Sequence, residues 1–319
     1  MKLLVTGGAG FIGANFLHYW FANHPSDEVY CLDAMTYAAN RRSIEPLMDK
    51  PNFHFVKGDV ADTTVVYRLF EEAGFDWVVH FAAESHVDRS IEDPSAFLRT
   101  NVIGTSVLLE AAKRFGVRRF HQVSTDEVYG DWPFESTDAF VETSPLKPSN
   151  PYAASKASAD LLVLSYHRTY GLPVTISRCS NNYGPYQYPE KLIPAMIYHA
   201  INNETLPVYG SGQNVRDWLY VEDHCRAIDV ILQRGVEGEV YNIGTREELT
   251  NLEVIEAILT QLGKPQSLIK HVTDRPGHDR RYATNADKLK ALGWEAQHRF
   301  EEAFPATVQW YIDHPDYWE

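Results

Sequence analysis

A glycine-rich turn near the N-terminus restricts the fold of this 319-residue chain more than any other feature of its sequence. An apolar run that predicts a strand leads directly into the turn, and Gly7, Gly10 and Gly13 open a predicted helix. Glycines at this spacing allow a tight turn, a close approach of the backbone to a pyrophosphate, and close packing of helix on strand. The free N–H groups and the dipole of the helix N-terminus also favour an anion. The turn therefore predicts a dinucleotide-binding βα unit.

An acidic residue, Asp33, follows the second predicted strand, about twenty residues after the last of these glycines. A carboxylate at that point accepts hydrogen bonds from a ribose diol and repels a 2′-phosphate, so it favours NAD over NADP. Asp59 follows the third predicted strand and is expected beside the adenine. On its own, Asp59 would more often be a simple cap.

Strand-like and helix-like segments alternate along the first half of the chain. Short apolar runs predict strands at residues 3–6, 28–32, 53–56, 77–81, 119–123 and 174–178. Apolar residues at helical spacing predict helices at residues 11–22, 63–73, 95–115 and 152–170. This alternation predicts βαβ units with right-handed crossovers, and hence an α/β fold with a Rossmann-type doubly wound parallel sheet.

The second half of the chain differs from the first in composition and in the length of its predicted elements. Residues 131–151 contain four prolines and many polar side chains, which predicts a long surface loop. Beyond residue 181, Pro, Tyr, Asn and Gly are frequent and the predicted elements are shorter. We therefore expect an NAD-binding domain at residues 1–180, which also carries the catalytic residues. A smaller substrate-binding lobe is expected at residues 181–319, with some exchange of chain between the two.

Composition excludes several classes of protein. Lys and Arg number 29 against 43 Asp and Glu, a net charge of −14 that argues against a nucleic-acid partner. Cys31, Cys179 and Cys225 are too few and too scattered for a disulfide framework or a zinc site, and no histidines stand at metal-ligand spacing, so no metal is expected. No apolar run reaches the roughly 20 residues of a membrane span, and the first strand leaves no room for a signal peptide. These features predict a cytoplasmic protein with reduced thiols and no membrane partner.

A tyrosine and a lysine stand four residues apart at the start of a predicted helix, so Tyr152 and Lys156 project from one face. A nearby ammonium is expected to lower the pKa of the tyrosine and make it a base for a sugar hydroxyl. Thr125, at the end of the fifth strand, would share that proton. The pair alone is common by chance, but after a dinucleotide fingerprint it predicts an oxidation site.

Two adjacent carboxylates, Asp126 and Glu127, follow Thr125 directly. The carboxyl ends of the strands face the ligand crevice in a doubly wound sheet, so both should lie at the reactive end of the cofactor. Adjacent carboxylates supply one acid and one base if their environments separate the two pKa values. Without the neighbouring motifs, two solvated carboxylates at the mouth of a loop would be the better interpretation.

These motifs, together with residues 80–90, 178–194, 207–223 and 274–282, resemble the extended short-chain dehydrogenases/reductases, and among them the nucleotide-sugar 4,6-dehydratases. Related 4-epimerases and decarboxylases typically lack the Asp–Glu pair, so Asp126 and Glu127 favour a dehydratase. The resemblance implies a sugar-nucleotide substrate, best matched by dTDP-linked glucose, and a tightly bound NAD that is regenerated at each turnover. It implies that Tyr152 deprotonates the C4 hydroxyl during oxidation, Glu127 removes the C5 proton, and Asp126 protonates the departing C6 hydroxyl.

The resemblance also implies binding residues. For NAD it indicates, besides the three glycines and Asp33, the residues Phe11, Ile12, Ala34, Met35, Thr36, Asp59, Val60, Phe81, Ala82, Ala83, Ser85, Thr100, Tyr152, Lys156 and Asn182. For the hexose it indicates Ser85, Thr125, Asp126, Glu127 and Asn181. For the nucleotide it indicates Lys191, Leu192, Pro207, Val208, Tyr209, Arg216, Asn251, Asp274, Arg275, Pro276, Gly277 and His278. Arginine and lysine side chains suit a pyrophosphate, and the Tyr209 ring would stack on a base.

Two other hypotheses remain open at this point. One is a dehydratase or epimerase acting on a UDP- or GDP-linked sugar, because thymine and uracil differ by one methyl group, worth a factor of only about 10 to 200. The other is a non-catalytic NAD-sensing or scaffold protein, although such proteins usually lose the tyrosine or the lysine. The resemblance further predicts a homodimer that packs helices 95–115 and 152–170 against their mates. Apolar faces on those helices could equally be covered within one chain.

Overall fold

The computed structural model describes the backbone of residues 1–318 and the side chains of all of these except residues 316 and 318. Within this range the strands are β1 Lys2–Thr6, β2 Glu28–Asp33, β3 Phe53–Lys57, β4 Trp77–His80, β5 Arg119–Thr125, β6 Val174–Cys179, β7 Asn181–Tyr183, β8 Leu206–Tyr209, β9 Val215–Tyr220, β10 Glu239–Ile243, β11 Glu248–Thr250 and β12 Ile269–Val272. The α-helices are α1 Phe11–Asn23, α2 Thr63–Ala73, α3 Val87–Glu92, α4 Ser95–Phe97, α5 Thr105–Arg114, α6 Pro151–Tyr170, α7 Leu192–Ile201, α8 Val221–Arg234, α9 Asn251–Leu262, α10 Asp287–Lys290 and α11 Phe300–Asp313.

The main sheet is parallel throughout. Its seven strands within residues 1–318 run in the order β3-β2-β1-β4-β5-β6-β10. The order reverses between β1 and β4, and this reversal opens a crevice at the carboxyl ends of the strands. The predicted Rossmann-type doubly wound sheet is therefore confirmed.

Both faces of this sheet are buried, which explains why its strands are continuous apolar runs. Successive side chains of a strand point to opposite faces, so Leu4 joins the core cluster that contains Phe70 and Leu109. Leu3 joins the cluster on the other face, which contains Trp20 of α1. The core thus fixes β1 and α1 on either side of the glycine turn.

The predicted elements are present with shifts of one or two residues, with one exception. The predicted helix 95–115 is not a uniform α-helix, because the segment Leu98–Gly104 between α4 and α5 is a π-helix. Within this wider turn, the Asn101 amide donates to the backbone oxygen of Glu84 and to Ser155 Oγ. Apolar periodicity alone does not distinguish this π segment from regular α-helix, since it depends on contacts with other parts of the chain.

The second half of the chain contributes to the main sheet as well as to smaller ones. β10 pairs with β6 at the edge of the main sheet, and α8 packs in the same core cluster as α1. The smaller sheets of the described chain have the orders β11-β9-β7 and β12-β8, and they surround a cluster that includes Tyr183, Trp218 and Phe304. The division at residue 180 stays a prediction. No helix within residues 1–318 has the length and apolar character that crossing a membrane requires.

Candidate active site

A cavity of about 400 Å³ lies at the carboxyl ends of the central strands, where the strand order reverses. Its walls come from the glycine turn, the ends of β2, β4 and β5, the start of α6, and the loop that precedes α7. Of the residues predicted for NAD, all except Met35 line this cavity. Met35 lies beside it with a left-handed φ of 56°, and its backbone N–H donates to Asp33.

The glycine turn has room for a ligand but none for side chains. Gly7 has a φ of 71°, and a Cβ atom there would lie 2.6 Å from the backbone nitrogen of Ala82. A Cβ atom on Gly13 would overlap the carbonyl oxygen of Gly7. The backbone of the turn is thus open to the cavity at the N-terminus of α1, as a pyrophosphate requires.

The Asp33 carboxylate is held at the end of β2 by backbone donors. Oδ2 accepts from the N–H of Ala9 at 2.9 Å and Oδ1 from that of Met35 at 2.8 Å. Burial raises the pKa of Asp33, while these two hydrogen bonds oppose the shift. Asp33 lines the cavity and each of its oxygens accepts only one of these hydrogen bonds, so the carboxylate can accept more, and the turn and Asp33 together fit a dinucleotide with a free ribose diol. Asp59 lines the same cavity and also caps a turn, accepting from the N–H of Ala61 and pairing with an arginine.

The adjacent carboxylates lie on a 3₁₀ turn, Asp126–Tyr129, directly after β5. Thr125 Oγ1 accepts from the N–H of Glu127 at 3.2 Å and donates to Asp126 Oδ1 at 3.4 Å. Asp126 is buried, and its Oδ2 has no hydrogen-bond partner among the described residues. Both carboxylates line the cavity beside Tyr152.

The surroundings of the two carboxylates differ in a way that separates an acid from a base. Burial, followed by the charges of Glu127 and Asp217, raises the pKa of Asp126 well above its usual value. Burial also raises the pKa of Glu127, but the positive charges of Lys191, Arg216 and Arg275 oppose that shift. Asp126 is therefore the group that retains a proton more readily, and Glu127 is the group that ionises more readily.

The start of α6 fixes the Tyr–Lys pair. Asn150 caps the helix by accepting from the N–H of Ala153 at 2.9 Å, and Pro151 occupies the first helical position. Tyr152 and Lys156, one turn apart, both line the cavity. Lys156 Nζ donates to the carbonyl oxygen of Val123 at 2.8 Å.

The Tyr–Lys spacing predicts a lowered pKa for Tyr152, whereas in the structure this pKa is raised; a favourable contribution from Lys156 stays a prediction. Burial, and then the negative charge of Glu127, raises the pKa of Tyr152 well above its usual value, and a hydrogen bond with Thr125 opposes this only in part. Burial likewise lowers the pKa of Lys156. The spacing of the two residues could not reveal these shifts, because they depend on how deeply the helix start is buried.

The residues predicted for the substrate occupy two regions. Ser85, Asn181, Lys191 and Leu192 line the cavity together with the catalytic residues. The remaining ones are outside that lining, on or next to β8, β9, β12 and the start of α9: Pro207, Val208, Tyr209, Arg216, Asn251, Asp274, Arg275, Pro276, Gly277 and His278. The Val208 side chain is buried in the core cluster around Trp218, which leaves only its backbone available to a ligand.

Side-chain contacts hold several of these outlying residues together. Asp88 accepts from Tyr209 Oη and from Arg275 Nη1, each at 3.3 Å. His278 Nδ1 lies 2.7 Å from Asp274 Oδ1. Tyr209 is 42% exposed as a residue, so it is not packed in the core.

Arg216 lies between the two regions. Its guanidinium donates to the carbonyl oxygens of Val215 and Asp279 at 2.8 and 3.0 Å and lies 4.6 Å from the centre of the Tyr282 ring. Arg216 is buried, and its charge opposes the raised pKa values of both Asp126 and Glu127. It therefore links the adjacent carboxylates to the region predicted for the nucleotide.

Sequence reasoning missed several residues of the cavity wall, notably Gln187, Tyr188 and Glu190, whereas Glu84 lies within the range 81–85 that the resemblance indicates for NAD. Glu190 accepts from Tyr37 Oη at 3.3 Å, and burial together with the charge of Glu190 raises the pKa of Glu84. No spacing pattern signals these residues. Only the place of the three missed residues shortly before Lys191 in the sequence could have drawn attention to them.

The histidines and cysteines of the described chain show no metal-binding arrangement. Within residues 1–318, no group of three or more His, Cys, Asp or Glu side chains is placed to hold a metal ion. His80 is buried between the hydroxyls of Thr6 and Thr105, at 2.7 and 3.0 Å, and burial lowers its pKa to about 3. The three cysteines are buried and free.

A doubly wound sheet with this glycine turn, a carboxylate at the end of β2 and a Tyr–Lys pair facing the crevice defines an extended short-chain dehydrogenase/reductase. The adjacent carboxylates after β5 narrow the class to the dehydratases. The chain belongs to the family described as GDP-mannose 4,6 dehydratase, whose model matches residues 4–307.

Individual proteins of known name are similar over nearly the whole chain. The low-salt glycan biosynthesis protein Agl12 of Haloferax volcanii is 53% identical over 98% of this chain and 99% of its own. A dTDP-glucose 4,6-dehydratase of Streptomyces niveus is 49% identical over 100% of this chain and 95% of its own. The structure of DesIV, a dTDP-glucose 4,6-dehydratase from Streptomyces venezuelae with NAD and dTDP bound, superposes with a TM-score of 0.96. It is 48% identical and covers 100% of this chain and 99% of DesIV.

Proposed function

We propose that this chain is a dTDP-glucose 4,6-dehydratase, which converts dTDP-glucose to dTDP-4-keto-6-deoxyglucose with loss of one water molecule. The observation that carries the proposal is the Asp126–Glu127 pair, whose two carboxyl groups have different electrostatic surroundings in one cavity with Tyr152. The similarity to proteins of that name over nearly their whole length supports the choice of substrate.

The cavity residues described above would hold NAD, with the glycine turn at its pyrophosphate and Asp33 at its adenosine ribose. When bound, NAD supplies the acceptor for hydride from C4, the donor of that hydride to C6, and a positive charge that favours the tyrosine phenolate. Because the reaction has no net redox change, the cofactor is regenerated at each turnover.

Three residues act at C4. Tyr152, as the phenolate, removes the proton of the C4 hydroxyl, and the Thr125 hydroxyl holds the phenol oxygen by a hydrogen bond. Lys156 is anchored on the carbonyl oxygen of Val123, which leaves two N–H donors for other oxygen atoms in the cavity. Charge on the phenol oxygen is costly at this buried position, so these donors lower the cost of forming it.

The adjacent carboxylates act at C5 and C6. Oxidation at C4 acidifies the C5–H bond, and Glu127, the carboxyl group that ionises more readily, removes that proton. Asp126, the group that retains its proton, gives it to the C6 hydroxyl as the C–O bond breaks and water leaves. Glu127 then returns its proton to C5 and is restored. Asp126, which lost its proton to the departing water, regains one as Tyr152 releases the proton that it took from the C4 hydroxyl, so all three groups are ready for the next turnover.

Positive charge at the outer end of the site suits the nucleotide. Lys191, Arg216 and Arg275 all lie close enough to Glu127 to influence its ionisation. A pyrophosphate bound near them would be held by charge-assisted hydrogen bonds, while the exposed Tyr209 ring would meet the base.

The test is product analysis by mass spectrometry and NMR after incubation with dTDP-glucose, and in parallel with UDP-glucose, without added NAD. We expect dTDP-glucose to lose one water molecule and to give a 4-keto signal, with NAD found by extraction of the purified protein. Reaction with UDP-glucose alone would contradict the nucleotide assignment and keep the chemistry. No loss of water from either, even with NAD added, would contradict the dehydratase assignment.

We propose that the protein is cytoplasmic and a homodimer. Leu98, Ile103 and Leu161 are between 52% and 60% exposed, and they lie on the helical segments around α5 and α6 that the resemblance assigns to a dimer interface. A second chain packed on these helices would cover them. Light scattering of the purified protein tests this proposal: a mass of one chain would contradict it, and Leu161→Glu should shift a dimer towards monomers.

A further inference from the structure

The helix that carries the Tyr–Lys pair has a third polar residue on the same face. Asp160 stands four residues after Lys156, as Lys156 does after Tyr152, so the three side chains lie along one line of α6. Asp160 is fully buried, and Arg178 Nε of β6 donates to its Oδ2 at 2.9 Å. Asp160 Oδ1 has no hydrogen-bond partner among the described residues.

Arg178 has a second contact, which leads to the adjacent carboxylates. Its Nη1 donates to Tyr129 Oη at 3.0 Å, and its guanidinium lies 4.9 Å from the centre of the Tyr129 ring. Tyr129 is the last residue of the 3₁₀ turn that carries Asp126 and Glu127, and its hydroxyl donates to Asn242 Oδ1 at 2.7 Å. One buried arginine therefore joins the helix of the Tyr–Lys pair to the turn of the Asp–Glu pair.

The charges that face Lys156 come from three elements. On α6, Asp160 raises the pKa of Lys156, and Cys179 of β6 adds to this effect. On β4, His80 lies close enough for the lysine charge to lower its pKa, so it does not compete for the proton. Burial acts in the opposite direction and dominates, which makes Asp160 the main group that opposes deprotonation of Lys156.

Stability alone does not account for a buried ion pair at this place. A buried ion pair is often replaced by apolar side chains of similar volume at no cost in stability, because taking the charges out of water offsets their attraction. The position of Asp160 one turn below Lys156, and of Arg178 against Tyr129, indicates a role in the site above them.

We propose that Asp160 is a positioning residue that keeps Lys156 charged during oxidation at C4. Arg178 fixes the Asp160 carboxylate and ties it to the Asp126–Tyr129 turn, so the oxidation and elimination groups keep one relative position. This inference rests on the proposed function, whereas its first test, the acetylation of Lys156, needs no substrate.

The test compares Asp160→Asn with the unaltered protein by the pH dependence of acetylation. Acetic anhydride reacts with a neutral amine, and peptide mass mapping reports the extent at Lys156, which lines the cavity. Removing the carboxylate should move the midpoint of this reaction to lower pH, with about tenfold faster acetylation for each unit of the shift. Asp160→Glu should restore the original midpoint. An unmoved midpoint in Asp160→Asn would overturn the proposal.

The control is Asp229→Asn, the same change in an ion pair with His24 on the far side of the main sheet, which should leave the midpoint unchanged. If Asp160→Asn does not fold, the double variant Asp160→Asn, Arg178→Gln removes both charges, and its midpoint decides the question in the same way.

The pH profile of turnover is the second readout. Its alkaline limb should move to lower pH, whereas a lower kcat with an unmoved limb would mean that the pair is merely structural. Failure of the unaltered protein to dehydrate dTDP-glucose would contradict the proposed function and would leave the acetylation result standing.

Discussion

Replacing the adjacent carboxylates by their amides should separate the two halves of the reaction. Asp126→Asn and Glu127→Gln keep the shape of each side chain. Among the described residues, Asp126 Oδ2 has no hydrogen-bond partner, so changing this oxygen to an amide nitrogen leaves no donor without an acceptor. The fold should therefore survive both changes. Asp126→Asn loses the proton donor at C6, and Glu127→Gln loses the proton acceptor at C5.

The expected magnitude follows from proton transfer. A positioned general acid or base contributes about 10²- to 10⁴-fold, equivalent to about 3 to 5 kcal/mol of activation free energy. Loss of water should fall by that factor in each variant. Oxidation at C4 should be partly retained, because Tyr152 and Lys156 are unchanged. In Glu127→Gln, oxidation at C4 should also continue to a lower pH, because the charge of Glu127 is the second cause of the raised pKa of Tyr152.

The assay follows two signals in a single turnover. Absorbance of the reduced nicotinamide reports oxidation at C4, and mass spectrometry of the sugar nucleotide reports loss of water. Asp131→Asn is a matched control, because Asp131 pairs with Arg280 on the surface. We expect reduced cofactor to accumulate in the two active-site variants and not in the control. An unaffected rate of water loss in either variant would refute the assignment of acid and base.

Three further predictions address the cofactor, the core and the pH dependence of stability. Asp33→Ala should lower the NAD retained by the purified protein and weaken the preference over NADP, as cofactor extraction and kinetics would show; unchanged retention would contradict the role of Asp33. Phe16→Ala, in the fully buried cluster around α1, should lower the free energy of unfolding by about 3 to 5 kcal/mol in a urea titration, and a loss below about 1 kcal/mol would contradict the packing. His121 is buried between Thr175 and Ser177, and burial lowers its pKa to about 3. Below about pH 6.5, His121 therefore takes up a proton in the unfolded chain but not in the folded chain. This difference in proton uptake should lower the stability of the folded chain as the pH falls. His121→Gln should therefore reduce the difference in unfolding free energy between pH 7 and pH 5 by roughly 2 kcal/mol. An unchanged difference would contradict the burial of a neutral ring.

The sequence by itself determined the features that depend on near neighbours along the chain. The apolar runs that become β1 to β6 could be recognised because strands buried on both faces must be apolar throughout. The glycine turn and Asp33 could be recognised because a strand, a turn and a helix place them within one βα unit. The Tyr–Lys pair and the Asp–Glu pair could likewise be singled out from spacing, and the cavity does bring all of them together.

The tertiary structure decided the electrostatics of the site and the contacts that cross the fold. The raised pKa of Tyr152, the place of Arg216 between the carboxylates and the nucleotide region, and the approach of Glu84 to Glu190 all depend on segments far apart in sequence. The π segment Leu98–Gly104 and the return of β10 to the main sheet are of the same kind. Burial and charge act over distances in space, and separation along the chain does not measure those distances. The types of catalytic side chain could therefore be predicted from the sequence, whereas their protonation depends on the folded surroundings.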